Sequence, residues 1–131
     1  MESSSTGVKR ILIVEDEPAI CDLCQRVLTN EDFEVDIAVN GKVAQDMIEE
    51  QQYALYLIDI RLPVMTGMEL YQWLQEKHPQ LASRVIFTTG SVIGGDTQSF
   101  LEQTAKSYLP KPFTPDELKD IVIETLKEME N

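Results

Sequence analysis

The chain has 131 residues, of which 43% are hydrophobic and 26% charged. These values are typical of one globular domain that buries its core without disulfides or metals. The formal net charge of −12 argues against nucleic-acid binding, because a protein that neutralises phosphates needs a basic face. The chain contains no run of about 18 apolar residues, so the sequence predicts no membrane-spanning helix.

The first eight residues have neither the basic region nor the apolar region of a signal peptide. We interpret residues 1–8 as a disordered tail or a cloning leader. Residues 9–129 show no repeat, linker or low-complexity segment, and they are expected to form one domain.

Strand-like and helix-like segments alternate five times, which is typical of βα units and a parallel sheet. The predicted strands are 10–14, 33–37, 54–58, 84–88 and 106–109. The first predicted helix runs from Pro18 to about Thr29, the second follows the Asn40-Gly41 turn, and the third runs from about Met68 to Lys77. The fourth runs from Asp96 or Thr97 to about Thr104, and the last from about Pro115 to Met129. Segment 54–58 is apolar on both faces, which predicts a central strand. The alternation in 33–37 predicts an edge strand.

Cys21 and Cys24 form a C-x-x-C pair, a spacing that redox and zinc sites also use. The pair lies on an apolar stripe with helical spacing: Ile20, Leu23, Cys24, Val27 and Leu28. We therefore expect Cys24 to face the core and Cys21 to lie beside it. No second Cys pair exists, and His78 is interpreted as a helix-end residue without chemistry. Two thiols without partners fit a reducing cytoplasm.

Polar side chains follow four of the predicted strands at the point where each strand ends. They are Glu15 and Asp16, Asp59, Thr88 and Thr89, and Lys111. Because ligands bind at the carboxyl ends of parallel strands, we expect these groups to meet at one edge of the sheet. Three carboxylates, a hydroxyl and an ammonium can hold Mg²⁺ and move a phosphoryl group onto a carboxylate.

Crowded carboxylates repel one another unless a cation lies among them, so the cluster indicates a metal site. Asp16 and Asp59 can supply ligands for Mg²⁺, and Glu15 can supply a third. The spacing also places the backbone carbonyl of Arg61 near the metal. The alternative is that these are helix N-terminal acids favoured by the helix dipole, which explains Glu15 to Glu17 but not Asp59.

The chain resembles the receiver domains of response regulators in two-component signalling, from Lys9 to about Met129. The resemblance rests on these segments in this order: Val14-Glu15-Asp16-Glu17, Asp59-Ile60-Arg61-Leu62-Pro63 with Met65 and Gly67, Thr89-Gly90, and Lys111-Pro112-Phe113. It implies a doubly wound, flavodoxin-like α/β fold, with a five-stranded parallel sheet of order 2-1-3-4-5 and five flanking helices. Residues 9–129 are then the receiver domain.

The resemblance implies that Asp59 is the phosphoacceptor. The phosphoryl group would come from a histidine kinase or a histidine phosphotransfer protein, with Mg²⁺ as cofactor. Lys111 and Thr89 would bind the phosphoryl oxygens. Strand alternation allows only one of Thr88 and Thr89 to point at Asp59, and the spacing in the family selects Thr89. In the family the bond between Lys111 and Pro112 is typically cis, which would aim the lysine inward.

The resemblance also implies a switch. The Thr89 hydroxyl would move toward the phosphoryl group and Tyr108 would turn inward, which remodels the surface of the fourth predicted helix, the fifth strand and the last helix. The alternative for Tyr108 is a half-buried side chain on an edge strand. Arg61 and Ser91 stand at the positions that tune hydrolysis of the aspartyl phosphate in the family.

The sequence departs from the family pattern in two places. Glu15 stands where many receivers have aspartate, and the Gly94-Gly95 stretch precedes a short fourth helix. The segments 100–104 and 109–113 look more like receivers attached to hybrid histidine kinases, so the chain is a candidate piece of a longer sensor protein. We expect a cytoplasmic monomer or weak homodimer that contacts no nucleic acid or membrane directly. It would be a switch with self-catalysed phosphorylation and dephosphorylation, not a metabolic enzyme.

Three alternative functions fit the sequence less well than a receiver switch. A Mg²⁺-dependent aspartyl phosphohydrolase usually has a second acid two residues after its nucleophile, where this chain has Arg61, and a cap domain. A flavodoxin-like cofactor binder would need a hydroxyl- and glycine-rich loop after the first strand, but the loop here is acidic. A receiver-like binding scaffold would not need the full set of site residues.

Overall fold

The computed structural model describes residues 8–90 and 108–130. The strands are β1 (Arg10–Val14), β2 (Glu34–Ala38), β3 (Leu55–Asp59), β4 (Val85–Thr89) and β5 (Tyr108–Pro110). The helices are α1 (Pro18–Asn30), α2 (Gly41–Glu50), α3 (Gly67–Lys77), α4 (Pro79–Ala82) and α5 (Pro115–Glu130). The described helices include none that is both long and apolar enough to cross a membrane.

The five strands form one parallel sheet in the order β2-β1-β3-β4-β5, which confirms the predicted topology. The register aligns the carboxyl ends of the strands. Val14 lies beside Ile58, and the next residue of β3, Asp59, pairs with Thr88. Thr89 in turn pairs with Pro110, the residue before Lys111. The polar residues that end these strands are therefore brought to one edge.

The sheet separates two hydrophobic cores, because successive side chains of a strand point to opposite faces. On one face, Leu12 and Val14 of β1 pack with residues of α2 and α3. On the other face, Ile11 and Ile13 pack with residues of α1 and α5. All five residues of β3 are buried, as predicted for a central strand covered on both sides. The fold is therefore doubly wound.

Side-chain capping explains where α2 and α3 begin. The Asn40 side chain accepts a hydrogen bond of 2.9 Å from the N–H of Val43 at the start of α2. At the start of α3, the Thr66 hydroxyl accepts from the N–H of Glu69 at 3.1 Å, and the Glu69 carboxylate accepts from the N–H of Thr66 at 2.9 Å. This reciprocal pair is a capping box.

The two cysteines lie as the helical stripe predicted. Cys24 is fully buried in the core beneath α1, and Cys21 is partly buried. Burial raises the pKa of the Cys24 thiol to about 12. Both thiols are free.

Several predicted boundaries differ from the structure. β2, β3 and β4 each begin and end one residue later than predicted. In β3 and β4 this is because pairing extends to the polar residue that ends the strand. α4 was not predicted: Pro79 ends α3, as predicted, but it also stands at the first position of another helical turn. β5 continues to Pro110, one residue beyond its predicted end. The predicted helix at 97–104, the Gly94-Gly95 stretch and Ser91 lie outside the described residues.

Candidate functional site

The Lys111 ammonium group lies among three carboxylates at the carboxyl edge of the sheet. Its Nζ is 2.9 Å from Glu15 Oε1, 3.0 Å from Glu17 Oε1 and 3.1 Å from Asp59 Oδ2. The lysine side chain is only 11% exposed. A lysine ammonium has three N–H donors and no acceptor, so these contacts give each donor a charged partner.

Glu15 is held at the end of β1 by backbone pairing. Its N–H donates to the carbonyl of Ala38 at 2.9 Å, which continues the pairing between β1 and β2. One oxygen of its buried carboxylate, Oε2, accepts a hydrogen bond of 3.2 Å from the N–H of Glu17. The other oxygen, Oε1, is therefore the one directed at Lys111.

Asp59, the last residue of β3, is 4% exposed. Its Oδ1 accepts a hydrogen bond of 3.1 Å from the N–H of Arg61, which leaves Oδ2 facing Lys111. The N–H of Ile60 donates to the carbonyl of Thr88 at 3.0 Å, which extends the sheet past Asp59. The carboxylate is thus held in a fixed orientation at the strand end.

Lys111 follows β5 and is tied to the neighbouring strand. Its N–H donates to the carbonyl of Thr89 at 2.6 Å. The peptide bond between Lys111 and Pro112 is cis, as the resemblance implied. Phe113 is buried in the core on the α1 and α5 side of the sheet.

Burial and the neighbouring charges together shift two pKa values at this edge. Burial raises the pKa of Glu15 to about 7; the Lys111 hydrogen bond opposes this rise, and the nearby charge of Asp59 adds to it. For Lys111, burial alone would lower the pKa. Its hydrogen bonds to Glu15, Glu17 and Asp59 outweigh burial, so the pKa lies above its ordinary value. Lys111 is therefore a permanent cation at neutral pH.

The two adjacent threonines of β4 are both buried. The Thr88 hydroxyl has no hydrogen-bond partner within residues 8–90 and 108–130. The Thr89 hydroxyl donates a 3.3 Å hydrogen bond to the carbonyl of Gly90, the next residue. The binding role assigned to Thr89 from the family spacing stays a prediction.

The acids that gather differ in one member from those expected. Oxygens of Glu15, Glu17 and Asp59 lie within 4.8 Å of one another, whereas Asp16 is exposed and is not a member of this group. From the sequence, Glu17 was expected only to be one of the acids at the start of the first helix and part of the segment Val14-Glu15-Asp16-Glu17. Its proximity to Lys111 could not be read from spacing, because 94 residues separate the two in the chain.

The remaining predicted site residues lie at the surface or beyond the described part of the chain. Arg61 is exposed, and its N–H bonds Asp59. Tyr108 lies on the edge strand β5 and is 45% exposed, so its ring faces solvent in this structure. Ser91 is not among the described residues.

One feature of the loop after β3 was not predicted: Val64 has a φ of 71° and is 80% exposed.

Comparison with known proteins assigns the family. The model of the response regulator receiver domain matches residues 11–123. Response regulator Rre1 of Synechocystis sp. is 34% identical over 113 residues, which cover 86% of this chain and 49% of that protein. Response regulator ArlR of Staphylococcus epidermidis is 34% identical over 108 residues, which cover 82% and 48%. The chain spans about half the length of these curated relatives.

Solved structures of receiver domains have the same fold as this chain. A CheY-like response regulator receiver domain protein from Methanospirillum hungatei JF-1 superposes with a TM-score of 0.85 at 35% identity, over 94% of this chain and 97% of that one. The signal receiver domain of a signal transduction histidine kinase from Syntrophus aciditrophicus gives 0.83 at 26% identity, over 94% and 93%. The chain therefore belongs to the receiver domains of response regulators, the phosphorelay modules of two-component signalling.

Proposed function

We propose that this receiver, residues 9–129, accepts a phosphoryl group on Asp59 from a phosphohistidine and acts as a switch. The observation that carries the proposal is the placement of Asp59. Its buried carboxylate is fixed through one oxygen by the N–H of Arg61, and its other oxygen lies 3.1 Å from the Lys111 ammonium. A carboxylate held in this way is a positioned nucleophile beside a cation that can bind the transferring group.

In the proposed reaction, an Asp59 carboxylate oxygen attacks phosphorus. The new P–O bond forms as the P–N bond to the donor imidazole breaks, and the imidazole takes a proton from water and leaves as the neutral ring. Lys111 donates hydrogen bonds to the phosphoryl oxygens, where negative charge is concentrated. The Thr89 hydroxyl binds the phosphoryl group after transfer.

The residues at this edge fit Mg²⁺. The acidic group offers oxygen donors, which this ion prefers, and the same group already surrounds a cation in the form of the Lys111 ammonium. Glu15 and Asp59 would hold the ion, together with Asp16 and the carbonyl of Arg61. When bound, Mg²⁺ neutralises charge on the transferring phosphoryl oxygens.

The finer roles follow the family pattern. The domain catalyses its own phosphorylation and dephosphorylation, and Arg61 and Ser91 tune the second reaction. Thr89 and Tyr108 form the switch. The solvent-facing ring of Tyr108 supports this role, because an inward turn in the switch would start from an outward orientation.

The proposed partner is a histidine kinase or a histidine phosphotransfer protein. The chain works in the cytoplasm as a monomer or weak homodimer, without direct contact to nucleic acid or membrane. The formal charge of −12 supports the absence of contact with nucleic acid, and the two free thiols support a reducing cytoplasm.

Intact-mass spectrometry after treatment with acetyl phosphate tests the proposal. Wild-type protein with Mg²⁺ should gain the mass of one phosphoryl group, and excess EDTA should prevent the gain. Asp59→Asn should gain nothing, whereas Asp22→Asn, which removes an exposed acid on α1, should gain one group like the wild type. Labelling of Asp59→Asn would move the phosphoacceptor elsewhere, and an unlabelled wild type would favour a binding scaffold.

A further inference from the structure

Glu17 stands at the N-terminal cap of α1, yet its side chain makes no capping hydrogen bond. Its backbone is fixed on both sides. The N–H donates to Glu15 Oε2 at 3.2 Å, and the carbonyl accepts from Ile20 at 3.1 Å and from Cys21 at 3.0 Å. The carboxylate is therefore available for another partner, and it contacts the ammonium of Lys111 at 3.0 Å.

The three carboxylates around Lys111 differ in exposure. The side chains of Glu15 and Asp59 are 2% and 5% exposed, whereas that of Glu17 is 60% exposed. When the contact with Lys111 breaks, water can solvate the carboxylate of Glu17. The carboxylates of Glu15 and Asp59 are buried and cannot be solvated in the same way. The contact between Glu17 and Lys111 is thus the one that breaks at the lowest cost.

We propose that Glu17 is a positioning residue that holds Lys111 in the unphosphorylated protein and competes with the phosphoryl group for it. All three N–H donors of Lys111 point at carboxylates, so a phosphoryl oxygen gains this lysine only when one contact is given up. Glu17 gives up its contact. Its negative charge also repels the incoming phosphoryl group. The inference rests on the function proposed above, because the competitor is the phosphoryl group on Asp59.

A contact that exists only in the unphosphorylated state lowers the population of the phosphorylated state. Removal of the Glu17 carboxylate should therefore favour phosphorylation. Exposed ion pairs contribute about 0.2–1 kcal/mol, which corresponds to roughly a 1.5- to 5-fold change in rate or equilibrium.

The first experiment measures phosphorylation of wild type, Glu17→Gln and Asp22→Asn with acetyl phosphate, each at its own saturating Mg²⁺ concentration. Glu17→Gln should react roughly 1.5- to 5-fold faster than the wild type. Asp22 is the matched control, because it is exposed on the same helix and its carboxylate pairs with Arg26 at 3.3 Å. Asp22→Asn therefore removes one negative charge, as Glu17→Gln does, but leaves the contacts of Lys111 in place. A rate for Glu17→Gln that is unchanged, lower or equal to that of Asp22→Asn overturns the proposal.

The second experiment needs no metal. Melting temperatures of wild type, Glu17→Gln, Lys111→Met and the double variant are compared in EDTA. Glu17→Gln should lower the melting temperature when Lys111 is present. In the Lys111→Met background Glu17→Gln should not lower the melting temperature, and it should raise it where the remaining carboxylates repel one another. An equal effect in both backgrounds would show that Glu17 acts on the fold alone and would overturn the proposal. If the wild type is phosphorylated but Glu17→Gln is phosphorylated no faster, only this inference is rejected. If the wild type takes up no phosphate, the proposed function is rejected as well.

Discussion

Gly67 lies directly against the backbone of Asp59. A Cβ atom at Gly67 would overlap the carbonyl oxygen of Asp59 and come within 2.8 Å of the Cα atom of Ile60. The N–H of Gly67 donates to the carbonyl of Ile60 at 2.8 Å, so the start of α3 is bonded to the segment that carries the phosphoacceptor. Only a residue without a side chain allows this close approach.

Gly67→Ala should therefore reduce both stability and phosphorylation. The obstructing atoms belong to the backbone, so the strand end or the helix start must shift, which costs about 1–3 kcal/mol. Because the shift moves the Asp59 carboxylate, the rate of phosphorylation by acetyl phosphate should fall as well. Urea denaturation gives the change in the free energy of unfolding. Gly90→Ala serves as a control for stability, because a Cβ atom there meets nothing within 4 Å.

Mg²⁺ affinity should rise with pH across neutrality. Burial raises the pKa of Glu15 from 4.5 to about 7 in the metal-free protein, so a proton competes with the metal for this carboxylate. Affinity should increase roughly tenfold from pH 6 to pH 8, as the ionised fraction of Glu15 grows. Isothermal titration at the two pH values measures the change. Glu15→Gln should bind Mg²⁺ with little dependence on pH; a dependence that survives in this variant would assign the proton to another group.

The same raised pKa sets the direction of a stability change without metal. The folded protein binds the Glu15 proton more tightly than the unfolded chain does. The stabilisation from Glu15 is therefore complete below pH 4.5 and is lost as the pH rises through about 7. Urea denaturation in EDTA should show that this contribution is smaller at pH 8 than at pH 6. Glu15→Gln should remove this part of the pH dependence.

Replacement of Val64 should stabilise the protein. Val64 has a φ of 71°, a left-handed conformation that a β-branched residue adopts at a cost, and its side chain is 80% exposed. Val64→Asn should relieve roughly 1 kcal/mol of backbone strain with little loss of packing. The melting temperature should rise by several degrees. Val39→Asn is a control at another exposed valine, whose φ is not positive, and no gain is expected there. An equal gain at both positions would contradict the strain argument.

The C-x-x-C pair should behave as buried thiols. Cys24 is fully buried and its pKa is raised to about 12, so iodoacetamide should not modify it in the folded protein at pH 8. Cys21 is partly buried and burial also raises its pKa, so its modification should be slow. Mass spectrometry follows both reactions, and unfolding in urea provides the control in which both thiols react. Rapid loss of both thiols in the folded protein would favour the redox or zinc interpretation.

Much of the fold follows from local patterns in the sequence. The apolar run that forms β3 predicted a central strand, the alternation in β2 predicted an edge strand, and the stripe around Cys24 predicted the buried face of α1. Each pattern reports which side chains leave water, and burial of apolar surface is the dominant favourable term in folding. The same patterns missed α4, because Pro79 was interpreted only as the end of α3.

The sequence by itself determined which polar residues follow strands, and parallel topology then required Glu15, Asp59 and Lys111 to converge on one edge. Only the tertiary structure decided that Glu17, and not Asp16, reaches the ammonium of Lys111. Consecutive acids are equivalent in a pattern of charges, but their directions depend on how the backbone leaves β1 and enters α1. The group that stabilises the direction of Glu17 is the ammonium of Lys111, which follows β5 and is 94 residues away in the chain. Contacts of that kind arise from the packing of the whole domain and have no local signal.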